Sequence, residues 1–291
     1  MRILMLGGTG SVGGAVLDEL VSHGHFLIAL ARSNEAEQNV VARGAQALRG
    51  DIRQPNDWVP VLQQVDAVVH TAATFTEDMA EVDRQLMQAL VEEGRRLGRP
   101  LRFLYTGGVW LYGETGDRAA VETSPLRSIS AFRWALDNYA LLRRSEVFAA
   151  NMVHPAMTYT RNSGVIERFI AEARERGRIE IWGTAETRWP LVHRRDLASA
   201  YHLVLEHAPP GEAYNVAAQE GVPVADVARA IGRRFTSTVE LSFLPRDQAI
   251  AIHGTDAEGP TLDQQMCSEK IRKALGWQPQ ITDALAEVGP R

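Results

Sequence analysis

A glycine-rich turn near the start of the chain limits the fold more than any other feature of the sequence. Gly7, Gly10 and Gly13 follow the apolar run at residues 3–6 at a spacing of three, and apolar residues then recur at helical spacing over residues 12–21. Glycine permits a positive φ, lets the backbone approach a pyrophosphate, and lets the helix pack closely on the strand. Amides at the start of the helix would then face the phosphates. This order predicts a dinucleotide site rather than a purely structural turn. The residues expected at it are Gly7, Thr9, Gly10, Ser11, Val12 and Gly13.

The end of the second apolar run indicates which dinucleotide would bind. The run covers residues 26–31 and is followed by Arg32 and Ser33. NAD-preferring proteins carry an acidic residue at this place for the ribose hydroxyls, whereas an arginine pairs with a 2′-phosphate. A charged hydrogen bond of this kind contributes about 1.5–3 kcal/mol, roughly a tenfold to hundredfold preference. We therefore expect NADP(H) to be favoured over NAD(H); the alternative is a solvated arginine at a strand end.

Strand-like and helical segments alternate through the first half of the chain. Further strand-length apolar runs lie at residues 66–70 and 102–105, and a helical pattern covers residues 79–97. Near-continuous apolar strands are buried on both faces, as parallel sheets require, and the alternation is typical of doubly wound proteins. We expect an α/β fold, a Rossmann doubly wound parallel sheet with a smaller, interleaved C-terminal substrate lobe.

The second half of the chain has a looser order. Helical patterns and strand-like runs are predicted at residues 165–177, 179–181, 189–193, 195–206, 214–216, 224–235 and 268–275. The expected Rossmann domain covers residues 1–160, with residues 190–217 returning to it. The expected substrate lobe is mainly residues 161–291.

Composition and charge exclude several classes of partner. The net charge of −5 gives no electrostatic reason to expect nucleic acid, and no apolar stretch has the length of a membrane helix. Cys267 is the one cysteine, and no His/Cys cluster has metal-ligand spacing along the chain, so no metal is expected. Glycines interrupt the uncharged N-terminal run, which argues against a signal peptide. We expect a cytoplasmic protein with a small-molecule substrate, for which a homodimer is one compatible state.

An ordered set of motifs runs nearly from end to end. It comprises residues 7–13, 50–52, 68–73, 106–113, 153–159, 190–198, 214–216 and 275–279. In this set the chain resembles the extended and atypical short-chain dehydrogenase/reductase superfamily, the NAD-dependent epimerase/dehydratase family. The resemblance implies a cofactor and a C-terminal lobe over the substrate, commonly a nucleotide sugar or another small hydroxy or carbonyl compound.

The resemblance also assigns cofactor contacts to individual residues. It implies Asp51 and Ile52 beside the adenine, the segment Thr71, Ala72 and Ala73 under the cofactor, and the segment after Pro155 along the nicotinamide. Asp51 has the alternative role of a turn or helix cap. His70 and His193 also match motif positions. At both positions the sequence is equally compatible with a structural role and a functional role.

The catalytic positions of the family are not conserved in this chain. The family uses a tyrosine, a lysine four residues later, and a Ser/Thr that binds the substrate oxygen. Counting back from residues 153–155, with the acidic and apolar residues at 137–142 setting the register of one helix, puts Ile129 at the tyrosine and Arg133 at the lysine of that helix. Counting from residues 112–113 puts Gly108 at the Ser/Thr. Isoleucine handles no proton, and arginine does not deprotonate. Arg133 is still expected to hold the nicotinamide ribose.

Other hydroxyl groups are candidates for the missing acid/base. We predict Tyr112 and Thr106, together with Arg133, as catalytic residues, with Tyr159 and His154 as further candidates. The alternative for Tyr112 is a rim residue with a bonded hydroxyl. Tyr139 mimics the family's Tyr-Lys spacing with an arginine, but it lies too near residue 154, and we interpret it as a packed helix tyrosine.

Three functions fit these residues. The first is an NADP(H)-dependent oxidoreductase or epimerase on a small hydroxy, carbonyl or sugar-nucleotide-like substrate, with a degenerate Ser/Tyr/Lys set. The second is a cyclase, lyase or isomerase on the same scaffold without net hydride transfer. The third is a non-enzymatic NADP(H) sensor. The fold does not separate them, because function depends on the site.

Overall fold

The computed structural model describes residues 1–236 and 238–290. Its strands are β1 (Arg2–Leu6), β2 (Phe26–Ala31), β3 (Gln46–Arg49), β4 (Ala67–His70), β5 (Leu101–Thr106), β6 (Phe148–Pro155), β7 (Met157–Tyr159), β8 (Arg178–Trp182), β9 (Arg188–His193), β10 (Ala213–Val216), β11 (Gln219–Pro223) and β12 (Glu240–Leu244). Its α-helices are α1 (Ser11–Ser22), α2 (Asn34–Ala42), α3 (Met79–Gly94), α4 (Trp134–Arg144), α5 (Glu167–Arg176), α6 (Arg194–His207), α7 (Val224–Gly232), α8 (Arg246–His253), α9 (Glu269–Leu275) and α10 (Ala284–Val288).

The main sheet has the strand order β10-β6-β5-β4-β1-β2-β3. The pairs from β6 through β3 are all parallel; Leu4, for example, lies opposite Ile28 on one side and Val68 on the other. The chain moves outward from β1 to β3 and then returns to β4 on the other side of β1. In such doubly wound sheets, ligands bind at the carboxyl ends of the strands where the order reverses. The predicted α/β Rossmann fold is confirmed.

The described residues form two compact units. The first contains Met1–Gly107, Trp134–Val153 and Ala198–Ala213, and the second contains Gly108–Arg133, His154–Leu197 and the residues from Tyr214 onward. The chain therefore alternates between the units. The domain boundary at residue 160 and the return of residues 190–217 stay predictions.

The carboxylate of Asp83 is buried in the core of the first unit. Asp83 on α3 lies 2.6 Å from Nε2 of His70 and accepts hydrogen bonds from the Tyr105 hydroxyl and the Asn138 amide, each at 2.7 Å. Burial would raise the pKa of this carboxyl, but the adjacent His70 and the three hydrogen bonds hold the pKa below its usual value. The cluster gives His70 a structural role, since its ring joins β4 to α3.

The second unit contains two smaller sheets, with orders β11-β9-β7 and β12-β8. β9 pairs parallel with β7 and antiparallel with β11, and Trp189 on β9 is 2% exposed and stacks on Phe169 of α5. His193, at the end of β9, accepts a hydrogen bond from the amide of Arg195 at 3.2 Å, which caps the start of α6. This contact assigns a structural role to His193 as well.

Most predicted elements are present within a few residues of their expected bounds. The elements that were not predicted include α2, α8, α10, β7, β11 and β12. Within the described ranges, no helix is both long and apolar enough to cross a membrane.

Candidate functional site

A cleft of about 510 Å³ lies in the first unit, beside the glycine turn. Twelve of the residues expected at the cofactor line it: Gly7, Thr9, Gly10, Ser11, Val12, Gly13, Arg32, Asp51, Ile52, Thr71, Ala72 and Ala73. Five lining residues were missed: Leu30, Ala36, Gly50, Thr74 and Phe75. Three expected residues do not line it: Ser33, Arg133 and Pro155. The last two belong to the second unit.

The three glycines of the turn serve different purposes. Gly7 has φ +89°, and a Cβ there would lie 2.7 Å from the amide nitrogen of Ala72. A Cβ on Gly13 would collide with the carbonyl oxygen of Gly7. Gly10 has φ −74° and ψ 170°, which any residue adopts, and its Cβ would meet only the Gly7 oxygen, at 3.3 Å. The expectation of positive φ in the turn therefore holds at Gly7 alone, and Gly10 leaves space rather than bending the chain.

The start of α1 presents uncapped backbone amides. Gly10 is the N-cap residue, and no side chain accepts a hydrogen bond there. The first amides of a helix lack partners within the helix and carry the positive end of its dipole. Ser11, Val12 and Gly13, which supply these amides, line the cleft. The arrangement suits an anionic group such as a pyrophosphate.

Arg32 follows β2 directly and is exposed on the cleft. Its guanidinium makes no hydrogen bond or ion pair with the part of the chain that the structure describes. Nearby arginines differ: Arg43 pairs with Asp18 at 2.6 Å, and Arg49 pairs with Glu37 at 3.0 Å. Ser33 instead caps α2, accepting a hydrogen bond from the Ala36 amide at 3.2 Å. Arg32 is thus a cation available to a ligand.

Asp51 and Thr71 lie at the carboxyl side of the sheet and have partners of their own. One carboxylate oxygen of Asp51 accepts a hydrogen bond from the Arg53 amide at 2.9 Å, which forms a local turn. The Thr71 hydroxyl donates to the carbonyl oxygen of Leu6 at 2.9 Å. The turn role considered for Asp51 is therefore present, while its second carboxylate oxygen stays available in the cleft.

Phe75 has an unusual conformation at the edge of the cleft. Its φ is +51°, and its ring is 77% exposed. Positive φ in a bulky residue costs about 1–3 kcal/mol and clusters at ligand-binding segments. An exposed aromatic ring held in this way is a candidate surface for a flat ligand.

The replaced catalytic positions lie before α4 rather than within it. α4 begins at Trp134, whereas Ile129 has extended φ −59° and ψ 156° and precedes a short 3-10 turn at Ser130–Phe132. The expectation of one continuous helix through Ile129 and Arg133 is therefore wrong. Ile129 is 7% exposed, and Arg133 is exposed. Gly108 has extended backbone, with open space where a Cβ would stand.

The two predicted catalytic hydroxyls both have protein partners. Thr106 donates to the carbonyl oxygen of His70 at 2.6 Å and lies 2.7 Å from the hydroxyl of Tyr201. Tyr112 is 3% exposed and donates to Oδ1 of Asn215 at 2.7 Å. Burial, with the nearby charge of Glu122, raises the pKa of Tyr112. These contacts match the alternative of a bonded structural hydroxyl.

Tyr159 has a buried hydroxyl without a hydrogen-bond partner among the described residues. The residue is 1% exposed, and its ring packs edge-on against His193, with 5.5 Å between the ring centroids. Burial and nearby carboxylates raise the pKa of Tyr159, so the phenol keeps its proton at neutral pH. An unsatisfied buried hydroxyl costs about 1–3 kcal/mol. The hydroxyls of Tyr112 and Tyr139 each donate a hydrogen bond, whereas that of Tyr159 has no partner among the described residues.

The other candidates are structural. His154 is buried, its Nδ1 accepts a 3.4 Å hydrogen bond from the Gly108 amide, and burial lowers its pKa to about 4. Tyr139 on α4 donates to the carbonyl oxygen of Ala150 at 3.3 Å, and burial raises its pKa to about 12. Tyr139 is therefore a packed helix tyrosine, as interpreted from the sequence.

The strand order and the glycine-lined cleft define a Rossmann-type nucleotide-binding protein. The family model described as "NAD dependent epimerase/dehydratase family" matches residues 3–217. The chain belongs to this family.

Comparison with individual proteins agrees with the family assignment. The chain is 30% identical to an uncharacterized protein of Saccharomyces cerevisiae, over 99% of this chain and 98% of that protein. Among solved structures it is similar to DesIV, a dTDP-glucose 4,6-dehydratase from Streptomyces venezuelae with NAD and TYD bound (TM-score 0.79, 21% identity, 99% and 96% of the two chains). It is equally similar to UDP-glucose 4-epimerase of Thermotoga maritima with UDP-glucose (TM-score 0.79, 19% identity, 99% and 97%). At these identities the two structures establish the fold alone.

Proposed function

We propose that the protein is an NADP(H)-dependent oxidoreductase or epimerase-type enzyme for a small hydroxy, carbonyl or sugar-nucleotide-like substrate. The observation that carries this proposal is the unpaired Arg32 guanidinium on a cleft that also receives the uncapped amides of α1. A nicotinamide dinucleotide, when bound, supplies hydride transfer. The relatives with dTDP-glucose and UDP-glucose in their names support a substrate of that class.

The residues of the cleft fit such a cofactor. The backbone at Gly7 and Gly13 is packed so closely that no Cβ would fit, whereas Gly10 leaves open space above the turn. The amides of α1 suit the diphosphate, and Arg32 suits a 2′-phosphate. The second carboxylate oxygen of Asp51 is available to accept a hydrogen bond from the adenosine part of the cofactor. In this proposal Arg133 holds the ribose, as the resemblance implies.

Proton transfer in this enzyme requires a group other than the family's tyrosine. Ile129 has no ionisable atom, and Thr106 and Tyr112 already have partners. We propose Tyr159 as the proton donor, because its hydroxyl is unpartnered and protonated. A phenol that keeps its proton at neutral pH has a proton to donate to a developing alkoxide.

The direct test is a titration of the purified protein with NADPH and NADH, followed by candidate carbonyl substrates, with the absorbance of the reduced nicotinamide as the readout. The proposal expects tight NADPH binding and substrate-dependent loss of absorbance. Tight binding without turnover of any substrate would favour the sensor function, and absence of binding would contradict both.

Replacing Gly10 by valine is expected to remove cofactor binding while preserving the fold. The extended backbone at Gly10 suits a β-branched residue, but the side chain would occupy the space of the pyrophosphate. We expect NADPH affinity to fall more than about 100-fold, beyond the loss of one charged hydrogen bond. The thermal unfolding midpoint should change little, in contrast to Gly13→Ala, which collides with Gly7. Unchanged affinity in Gly10→Val would mean that the turn is only structural.

Replacing Phe75 by glycine separates a binding role from a structural one. Glycine adopts positive φ without strain, so the unfolding midpoint should stay constant or rise. Loss of an aromatic stacking surface should lower NADPH affinity roughly two- to tenfold. Ile252→Ala, which removes a side chain that is 66% exposed in the second unit, is the matched control. Equal NADPH affinities of Phe75→Gly and the native protein would exclude stacking.

A further inference from the structure

A cluster of imidazole and carboxylate groups lies within the first unit, outside the cleft. His25 lies just before β2, and His202 and Glu206 lie one turn apart on α6. The ligand atoms of these three residues all lie within 4.8 Å of one another. The two histidines are far apart in the sequence, so the spacing argument that predicted no metal could not detect them.

Two distances within the cluster, each to a different oxygen of Glu206, are close to those around a single metal ion. Nε2 of His25 lies 3.4 Å from Oε1 of Glu206, and Nε2 of His202 lies 3.2 Å from Oε2 of the same carboxylate. Zinc binds imidazole nitrogen and carboxylate oxygen at about 2.0–2.2 Å with tetrahedral geometry, which puts neighbouring ligand atoms about 3.3–3.5 Å apart. Two ligand pairs of the cluster thus have nearly the spacing that the ion requires.

An unsatisfied nitrogen is a second observation that points to a ligand. The side chain of His25 is 5% exposed, and its Nε2 makes no hydrogen bond among the described residues. Burial of an imidazole nitrogen without a partner costs about 1–3 kcal/mol unless another group binds it. This nitrogen faces Glu206, so a bound cation would satisfy both groups.

We propose that His25, His202 and Glu206 bind one divalent transition-metal ion, for which zinc best matches the two nitrogen donors and one carboxylate. The fourth position is open to water. His23 stacks on the ring of His202, with centroids 3.8 Å apart, and orients it. The ion links the start of β2 to α6. Although α6 lies far from β2 in the sequence, its residues from Ala198 onward belong to the first unit.

The test uses the full chain without a histidine tag, stripped with EDTA and titrated with Zn²⁺ and, for spectroscopy, with Co²⁺. We expect one Zn²⁺ per chain, visible Co²⁺ absorption of tetrahedral intensity, and a higher unfolding midpoint with Zn²⁺. Loss of a group that only orients a metal ligand lowers affinity 10–100-fold. Loss of a direct ligand in His25→Gln, His202→Gln or Glu206→Gln should lower it by about 100-fold or more.

Variants outside the three proposed ligands serve as controls. His253→Gln removes an exposed histidine in the second unit and should leave Zn²⁺ affinity unchanged. The side chain of Glu206 is 33% exposed, so its replacement should disturb folding least among the three ligands. All variants should retain the NADPH affinity of the native protein. No saturable binding by the native chain would overturn the proposal. So would binding that survives His25→Gln and Glu206→Gln but disappears in Glu19→Gln or His23→Gln, since that pattern assigns the ion to the neighbouring group of Glu19, His23 and His202.

Discussion

Arg32→Asp is expected to reverse the order of cofactor affinity, so that NADH binds more tightly than NADPH. The native guanidinium is exposed on the cleft and has no partner among the residues that the structure describes. Its removal should cost NADPH about 1.5–3 kcal/mol, or roughly ten- to more than a hundredfold. The new carboxylate repels the 2′-phosphate further and accepts hydrogen bonds from the ribose hydroxyls of NADH. Dissociation constants for both cofactors, measured by quenching of intrinsic fluorescence, test this expectation.

Two variants control for charge alone. Arg32→Gln should lose the preference without reversing it. Arg49→Gln, which changes an arginine already paired with Glu37 outside the cleft, should leave both affinities nearly unchanged. Equal affinities of the native protein for the two cofactors, unaffected by any change at Arg32, would refute the assignment of NADP(H).

Tyr159→Phe is expected to abolish most of the activity without lowering the stability of the folded protein. The substitution removes a hydroxyl that has no partner among the described residues, so the free energy of unfolding should stay constant or rise by about 1 kcal/mol. Loss of a proton donor should lower kcat by a factor of about 10²–10⁴. NADPH affinity should be unchanged. Activity, calorimetric unfolding and cofactor titration on one preparation measure all three quantities.

Tyr112→Phe is the matched comparison. It removes a hydroxyl bonded to Asn215 and leaves that amide oxygen unpaired, so the free energy of unfolding should fall by about 1–3 kcal/mol while kcat is largely retained. Ile129→Phe should also leave kcat nearly unchanged, since neither side chain transfers a proton. If Tyr112→Phe lost activity and Tyr159→Phe did not, the proton donor would be Tyr112. Full activity in both variants would refute both assignments.

Most residues that line the cleft were expected from the sequence, because they are local to strand ends. The turn over residues 7–13 is contiguous, and the segments at Asp51 and Thr71 each follow a strand of the parallel sheet. Parallel strands bring their carboxyl ends to one edge, so motifs after successive strands meet there. Phe75 and Leu30 also line the cleft but were not expected, because neither belongs to a recognisable motif. Phe75 lies just after the Ala72-Ala73 motif, and Leu30 lies within β2.

Short polar elements were not predictable from apolar periodicity. In α2 the only buried residue is Val40, so the helix has no apolar stripe, and its signals are the Ser33 cap and the acidic residues Glu35 and Glu37. The start of α4 was also misplaced, since the acidic and apolar residues used to register the helix all lie after Trp134. These features depend on capping and backbone geometry, which a hydrophobic pattern does not report.

The sequence by itself determined the α/β class and the glycine turn, because each is set by residue type at a local position. Only the tertiary structure decided which polar groups are satisfied. The bond between Tyr112 and Asn215 joins residues 103 positions apart, and the proximity of His25, His202 and Glu206 depends on the return of α6 to the first unit. Hydrogen bonding and metal coordination act over about 2–3.5 Å. Whether distant residues meet within that range is fixed by packing of the whole chain, which is why the hydroxyl of Tyr159 and the nitrogen of His25 became visible as unpartnered groups only in the folded protein.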